Sequence, residues 1–152
     1  MPHKPAQPRH TPAVRGFTLI ELLVVIAIIA FGTAGVGFAM RDSAQTGLAR
    51  EADRLAALLE SARAQSRASG LPVRWQATAD GFRFDGLPQM QVQALPSHWL
   101  DPATGTAGPA TLVLGPEPLI GAQQVVLINT ALPGHALRVA TDGLRPFQVQ
   151  LP

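Results

Sequence analysis

The chain contains no cysteine among its 152 residues. That removes disulfide frameworks, thiolate zinc sites and cysteine nucleophiles together, while leaving an oxidising compartment open to a protein with an adequate core. Charge is also scarce, at 14% of residues against 47% hydrophobic, a balance far from that of disordered chains. Positive charge is scarcer than the sequence pI of about 10.4 suggests. Lys4, Arg9 and Arg15 fall within the first sixteen positions with no acid among them. Removing those three from the formal net charge of +2 leaves −1, so the rest of the chain has no excess with which to neutralise phosphates. Electrostatic capture of nucleic acid is not expected.

Catalytic patterns are missing as well. No serine lies in G-x-S-x-G, and no histidine pair has H-x-x-x-H spacing. His98 beside Trp99 reads as a loop residue rather than a base, and His135 stands alone. Asp80, Asp85, Asp101 and Asp142 lie near Gly or Pro in turns, as turn geometry requires, and they form no calcium loop. We therefore expect no enzyme activity, no cofactor and no metal.

What is present is strongly segregated along the chain. Residues 1–16 carry Pro2, Pro5, Pro8 and Pro12 among basic residues, too proline-rich for a helix and too polar for a core. From Phe17 to Met40 the chain is apolar with one charge, Glu21. At 1.5 Å per residue this run is ~36 Å long, against ~30 Å of bilayer hydrocarbon. The basic residues before the run, against Arg41 and Asp42 cancelling after it, predict a cytoplasmic N-terminus.

Residues 41–70 change character. Leu48, Ala52, Leu55, Leu59 and Ala62 recur at three- and four-residue steps, while Arg50, Glu51, Arg54, Glu60 and Arg63 fall largely off that stripe. This predicts an amphipathic helix continuous with the apolar run and ending at Gly70-Leu71-Pro72. Beyond it, Val73, Trp75 and Ala77 alternate with polar residues, and Ala79-Asp80-Gly81 turns the chain into Phe82-Arg83-Phe84, a β-hairpin. Its apolar face should pack on Leu55, Leu58, Leu59 and Ala62. Further strands are expected at Met90–Leu95, Thr111–Leu114 and Gln124–Ile128. Ala136–Ala140 and Phe147–Leu151 should pair, with Pro146 confined to an edge. Residues 71–152 thus read as a β-rich head, and the fold class as α+β.

The junction Arg15-Gly16-Phe17-Thr18-Leu19-Ile20-Glu21, followed at once by apolar residues, resembles the prepilin-type leader of type IV pilins and type II secretion pseudopilins. That resemblance implies cleavage after Gly16 by a membrane peptidase, N-methylation of the new terminus Phe17, and an assembly contact at Glu21, the acidic fifth residue of the mature chain. Physics agrees on Glu21: a carboxylate within a membrane helix costs ~2.5–3.5 kcal/mol and usually has a partner. An α-amine freshly exposed on a neighbour's Phe17 would supply one. The small residues Gly32, Thr33, Ala34, Gly35 and Gly37 permit either close helix approach or local unwinding. The proline that many major pilins carry in this part of the helix is missing.

Three further stretches resemble the GspH-type minor pseudopilin: Leu71–Trp75 with Gly81–Phe84, Gly115–Pro118, and Ala140–Phe147. This resemblance implies a pilin-like fold and a low-abundance structural subunit near the tip of a periplasmic pseudopilus. It would support export of folded proteins across the outer membrane. Its partners would be other minor and major pseudopilins, the inner membrane, and the prepilin peptidase. Its head would be periplasmic. The alternative is a FimT-like minor pilin of a type IV pilus, in some cases serving DNA uptake, which needs a basic, exposed C-terminal region. Arg138 and Arg145 are the only basic side chains of Lys or Arg type after Arg83. The Gly- and Pro-rich segment 86–121 is the expected partner-contacting region of the head.

Overall fold

Thr18 starts the first element. Its Oγ1 accepts the Glu21 N–H at 3.3 Å, satisfying one orphan donor of the helix start, while its carbonyl accepts the Leu22 N–H at 3.2 Å as the first intrahelical bond. From there one helix, α1, runs from Leu19 to Ser69 in the computed structural model, which describes residues 17–88 and 95–150. Gly70 stops it: with φ of 69° it takes the left-handed cap, and its N–H reaches the Ser66 carbonyl at 2.9 Å. The Ser66 hydroxyl donates to the Leu71 carbonyl at 2.6 Å, fixing the exit before Pro72.

The chain divides into two compact units between Gly37 and Phe38. In the first, the large apolar side chains of α1 from Leu19 to Val36 are solvent-exposed, with Leu19, Ile20, Ile28 and Phe31 among the barest. The backbone stays helical through Gly32–Gly37, so the small-residue cluster does not unwind the helix. Thr33 satisfies its hydroxyl internally, donating to the carbonyls of Ile29 and Ala30 at 3.0 Å each.

In the second unit, the predicted stripe becomes a core. Leu48, Ala52, Leu55, Leu59 and Ala62 are all buried and share one cluster with Trp75, Phe82 and Phe84 of the hairpin, with Leu58 packed at its margin. That hairpin is β1, Arg74–Thr78, and β2, Gly81–Asp85, in a register that sets Trp75 opposite Phe84 and Ala77 opposite Phe82. The Phe82 ring lies 4.8 Å from Trp99 and edge-on to Phe84 at 6.0 Å, a tilted aromatic cluster. Each leucine buried in this way contributes about 1.5–3 kcal/mol relative to exposure.

The remaining strands are β3 (Thr104–Thr106), β4 (Thr111–Val113), β5 (Gln123–Asn129), β6 (Ala136–Thr141) and β7 (Gln148–Gln150). They form two antiparallel sheets, of order β2-β1-β4 and β3-β5-β6-β7. Gln123 stitches the two together: its Oε1 accepts the Val113 N–H at 2.7 Å and its Nε2 donates to the Val113 carbonyl at 2.8 Å. A side-chain amide thus occupies the β4 edge as a strand would. Inner positions Val125, Leu127 and Val139 complete the core. The architecture is α+β and pilin-like: a long N-terminal helix followed by small antiparallel sheets.

Three expectations need correction or placing. Most of the strand expected at Met90–Leu95 lies outside the described residues, and Leu95 itself is in a bend. β3 is unforeseen: Thr-Gly-Thr carries no strand pattern, and it is pairing with Leu127–Asn129 that makes it extended. Most instructive, two charges that fall off the apolar stripe in the sequence are nonetheless buried, Glu51 at 1% exposure and Arg63 at 2%. Their partners include loops of the head as well as neighbours on the helix.

Candidate processing site and assembly surface

At the N-terminal end the geometry is that of a helix beginning immediately beyond the Gly16–Phe17 bond. Gly16 lies outside the described residues. Phe17 and Thr18 are non-helical, Phe17 is 75% exposed, and the helix begins at Leu19. Glu21 is in the first turn, where the unsatisfied N–H groups and the helix dipole favour an anion. Among the described residues its carboxylate has no hydrogen-bond or ion-pair partner. The bond received by Thr18 Oγ1 is the first half of a capping box, and Thr18-Leu19-Ile20-Glu21 ahead of an apolar run is its sequence signature. That signal was open to view beside the more conspicuous Gly16-Phe17 pair. Structure therefore brings Phe17, Thr18 and Glu21 together within one turn.

Behind this end, α1 contains an 18-residue window of mean hydropathy 2.5, none of it buried, and by length and composition it can cross a membrane. An apolar surface this long is not left to water by a folded protein; lipid or other helices must cover it.

The head is held by two buried charges. Arg63 donates from Nη2 to the Gly143 carbonyl at 2.8 Å and to the Pro118 carbonyl at 3.4 Å, and from Nη1 to the Arg145 carbonyl at 3.4 Å. It also faces Glu60 at 3.5 Å, whose carboxylate receives the Phe147 N–H at 3.0 Å. One guanidinium thus ties α1 to the 118 and 143–145 loops. Glu51 does the same nearer the N-terminal end of the stripe, accepting the Leu100 N–H at 2.8 Å while paired with Arg54, which reaches the His98 carbonyl at 3.0 Å.

The Thr141–Pro146 loop is ordered by its own side chains. Asp142 Oδ1 accepts the N–H groups of Leu144 and Arg145 at 3.0 and 2.7 Å, and Oδ2 meets the Arg145 guanidinium at 2.9 Å. The backbone bond from Arg145, with that from Leu144, holds the Asp142 carboxyl below the ordinary carboxylate range. Gly143 is required there: φ is 92°, and a Cβ would meet the Ile120 carbonyl at 1.9 Å.

The two histidines of the described residues are apart. His98 is exposed, bonded through Nδ1 to the Ser97 hydroxyl at 3.0 Å, and His135 meets the Gln45 amide at 3.0 Å. Among the described residues, no three His, Asp or Glu side chains gather as metal ligands. Asp101 and Asp142 serve turns, as their sequence context suggests, and Asp101 also receives the Asn129 amide at 2.7 Å.

Residues 12–37 match the Prokaryotic N-terminal methylation motif, the prepilin-type leader. The matched span takes in Gly16, Phe17, Glu21 and most of the apolar run. No curated protein and no solved structure shows significant similarity to the chain. A leader of this type implies processing by a prepilin peptidase and assembly with other pilins.

Proposed function

We propose that the chain is a minor pseudopilin of a type II secretion system, a non-catalytic structural subunit cut after Gly16 and methylated on Phe17. It is held in the inner membrane by α1 with its head in the periplasm, and it joins a short pseudopilus near the tip. The observation that carries this reading is the combination at one helix end: a Glu21 with no partner among the described residues, one turn inside an apolar helix, directly behind a matched leader. Cleavage would create a cation at Phe17, and Glu21 of an adjoining subunit, ~6 Å along its own helix, is the complementary charge. The pair would set the axial register of packed helices.

The secretion reading is favoured over a FimT-like pilin by the charge of the head. A DNA-binding tip would need several free cations. Arg145 is paired with Asp142, and among the described residues of the C-terminal third only Arg138 remains unpaired.

The decisive measurement is the mature N-terminus by mass spectrometry, where methylated Phe17 is expected. A terminus after Ala34 or Ala39 would overturn the reading. Glu21→Ala should leave cleavage intact and reduce incorporation into the filament; normal incorporation would remove the assembly role. Loss of export of a folded substrate on deleting this chain, with type IV pili unaffected, is the outcome expected of a secretion subunit.

A further inference from the structure

The sheet β3-β5-β6-β7 has an inner face that packs on the core and an outer face that does not. Alternation puts Val125, Leu127, Val139 and Thr141 inward, all buried, and leaves Val126, Ile128, Ala136, Arg138 and Ala140 on the outer face, all half-buried. Arg138 sits at the middle of that face, opposite Val126 on one side and Gln150 on the other. Its diagonal neighbours among the described residues are Gln124, Ile128 and Gln148, so no Asp or Glu side chain stands beside it on these strands.

All ten acidic residues fall within the described residues, since 1–16, 89–94, 151 and 152 contain neither Asp nor Glu. None of the ten pairs with Arg138. The Arg138 Nε is closed off from solvent with no acceptor among the described residues, which marks a stem packed down on the sheet. Its Nη groups donate to none of them. The other half-buried or buried arginines, Arg54 and Arg63, each find a carboxylate and at least one carbonyl.

We propose that this outer face, centred on Arg138, docks a carboxylate presented by the head of a second pilin-like subunit. A single guanidinium flanked by Val126, Ile128, Ala136 and Ala140 suits an acid in an apolar surround, because desolvated flanks strengthen one charge pair. It does not suit a nucleic-acid backbone, which needs several cations along its path. The face covers roughly 300 Å², from four strands ~4.8 Å apart and about five residues of ~3.3 Å each. That is well under the ~800 Å² per partner of a self-sufficient interface. The contact therefore selects a neighbour within an assembly already held by α1; the pilin nature of that neighbour rests on the function proposed above.

The test is site-specific photo-crosslinking of the full chain in cells, with the photoreactive residue at Gln148 and the adduct mapped by mass spectrometry. The expected adduct lies in the head of a pilin-like subunit within reach of an Asp or Glu. Its yield should fall about tenfold or more with Arg138→Glu, fall clearly with Arg138→Gln, and stay within about threefold with Arg138→Lys. Resistance of the head to protease, unchanged in all three variants, checks folding. An adduct insensitive to Arg138→Glu, an adduct with nucleic acid, or no adduct in a correctly cleaved chain overturns the docking proposal alone. Failure of cleavage after Gly16 would instead overturn the pilin reading.

Discussion

One helix carries two hydrophobic surfaces that obey opposite rules. Between Leu19 and Val36 the large apolar side chains of α1 are exposed, whereas between Leu48 and Ala62 an apolar stripe is almost wholly buried. The second surface finds its partners within the chain, in Trp75, Phe82 and Leu112; the first has none among the described residues, so its environment must be supplied from outside. Hydrophobicity around the whole circumference announces lipid or other subunits, and hydrophobicity on one side announces a head. The boundary needs no break in the backbone, since the helix runs unbroken through Gly32 and Gly37.

The contrast predicts that the same chemical change has different consequences in the two regions. Leu55→Ala opens a cavity in the core and should destabilise the head by about 2–5 kcal/mol. Leu23→Ala, also in α1, should leave head unfolding within ~0.5 kcal/mol of the parent. Denaturant titration of the full chain in detergent micelles reads both, because the only two tryptophans, Trp75 and Trp99, are buried in the head. Equal effects would mean that the apolar run contributes to the folded head, and the division would fall.

A second, smaller effect tests what the polar groups on the buried side do. Arg63→Met largely preserves the stem but leaves the carbonyls of Gly143 and Pro118 without this donor, and leaves the Arg145 carbonyl to Thr141 Oγ1 and the Glu60 carboxylate to the Phe147 N–H alone. A cost of about 2–4 kcal/mol is expected, in line with breaking one side of a buried charge network. Hydrogen exchange should rise first in Gly143–Arg145, the loop that loses its tie, before the β1–β2 hairpin responds. Uniform loosening of the whole head would show that Arg63 acts through the core instead.

Much of the fold is legible in the sequence, and the division between legible and hidden follows physical range. The helix stripe, the Asp80-Gly81 hairpin and the β6–β7 pairing rest on periods and turns a few residues long, and all are present. The burial of Glu51 and Arg63 is hidden because their distant partners, Leu100 and Gly143, lie 49 and 80 residues away and are backbone groups, which leave no trace in side-chain chemistry. β3 is hidden for the same reason: it is extended because β5 offers an edge, not because Thr-Gly-Thr prefers it. At the processing end the Gly16-Phe17 junction and Glu21 can be read as a motif. The Thr18 cap is equally local and is overshadowed by it.

The smallest effect concerns the exposed side of the head, and its sign follows from linkage. The folded Asp142 carboxyl is held below its ordinary value, first by the Arg145 N–H and then by that of Leu144. The unfolded chain therefore takes up this proton at higher pH than the folded one does. The stabilisation from Asp142 is fully present above the unfolded carboxylate value and is lost as pH falls through the lower folded one. Asp142→Asn should accordingly flatten the acid limb of the stability profile slightly and leave stability near neutrality little changed, since the loop keeps an acceptor at the same position. An NMR titration of the Asp142 carboxyl carbon checks the direction. A folded value at or above that of an unstructured aspartate would show that the Thr141–Pro146 loop is not fixed by these bonds, leaving Arg63, from the buried side, and the Thr141 hydroxyl, which bridges the Gly143 N–H and the Arg145 carbonyl, as its restraints.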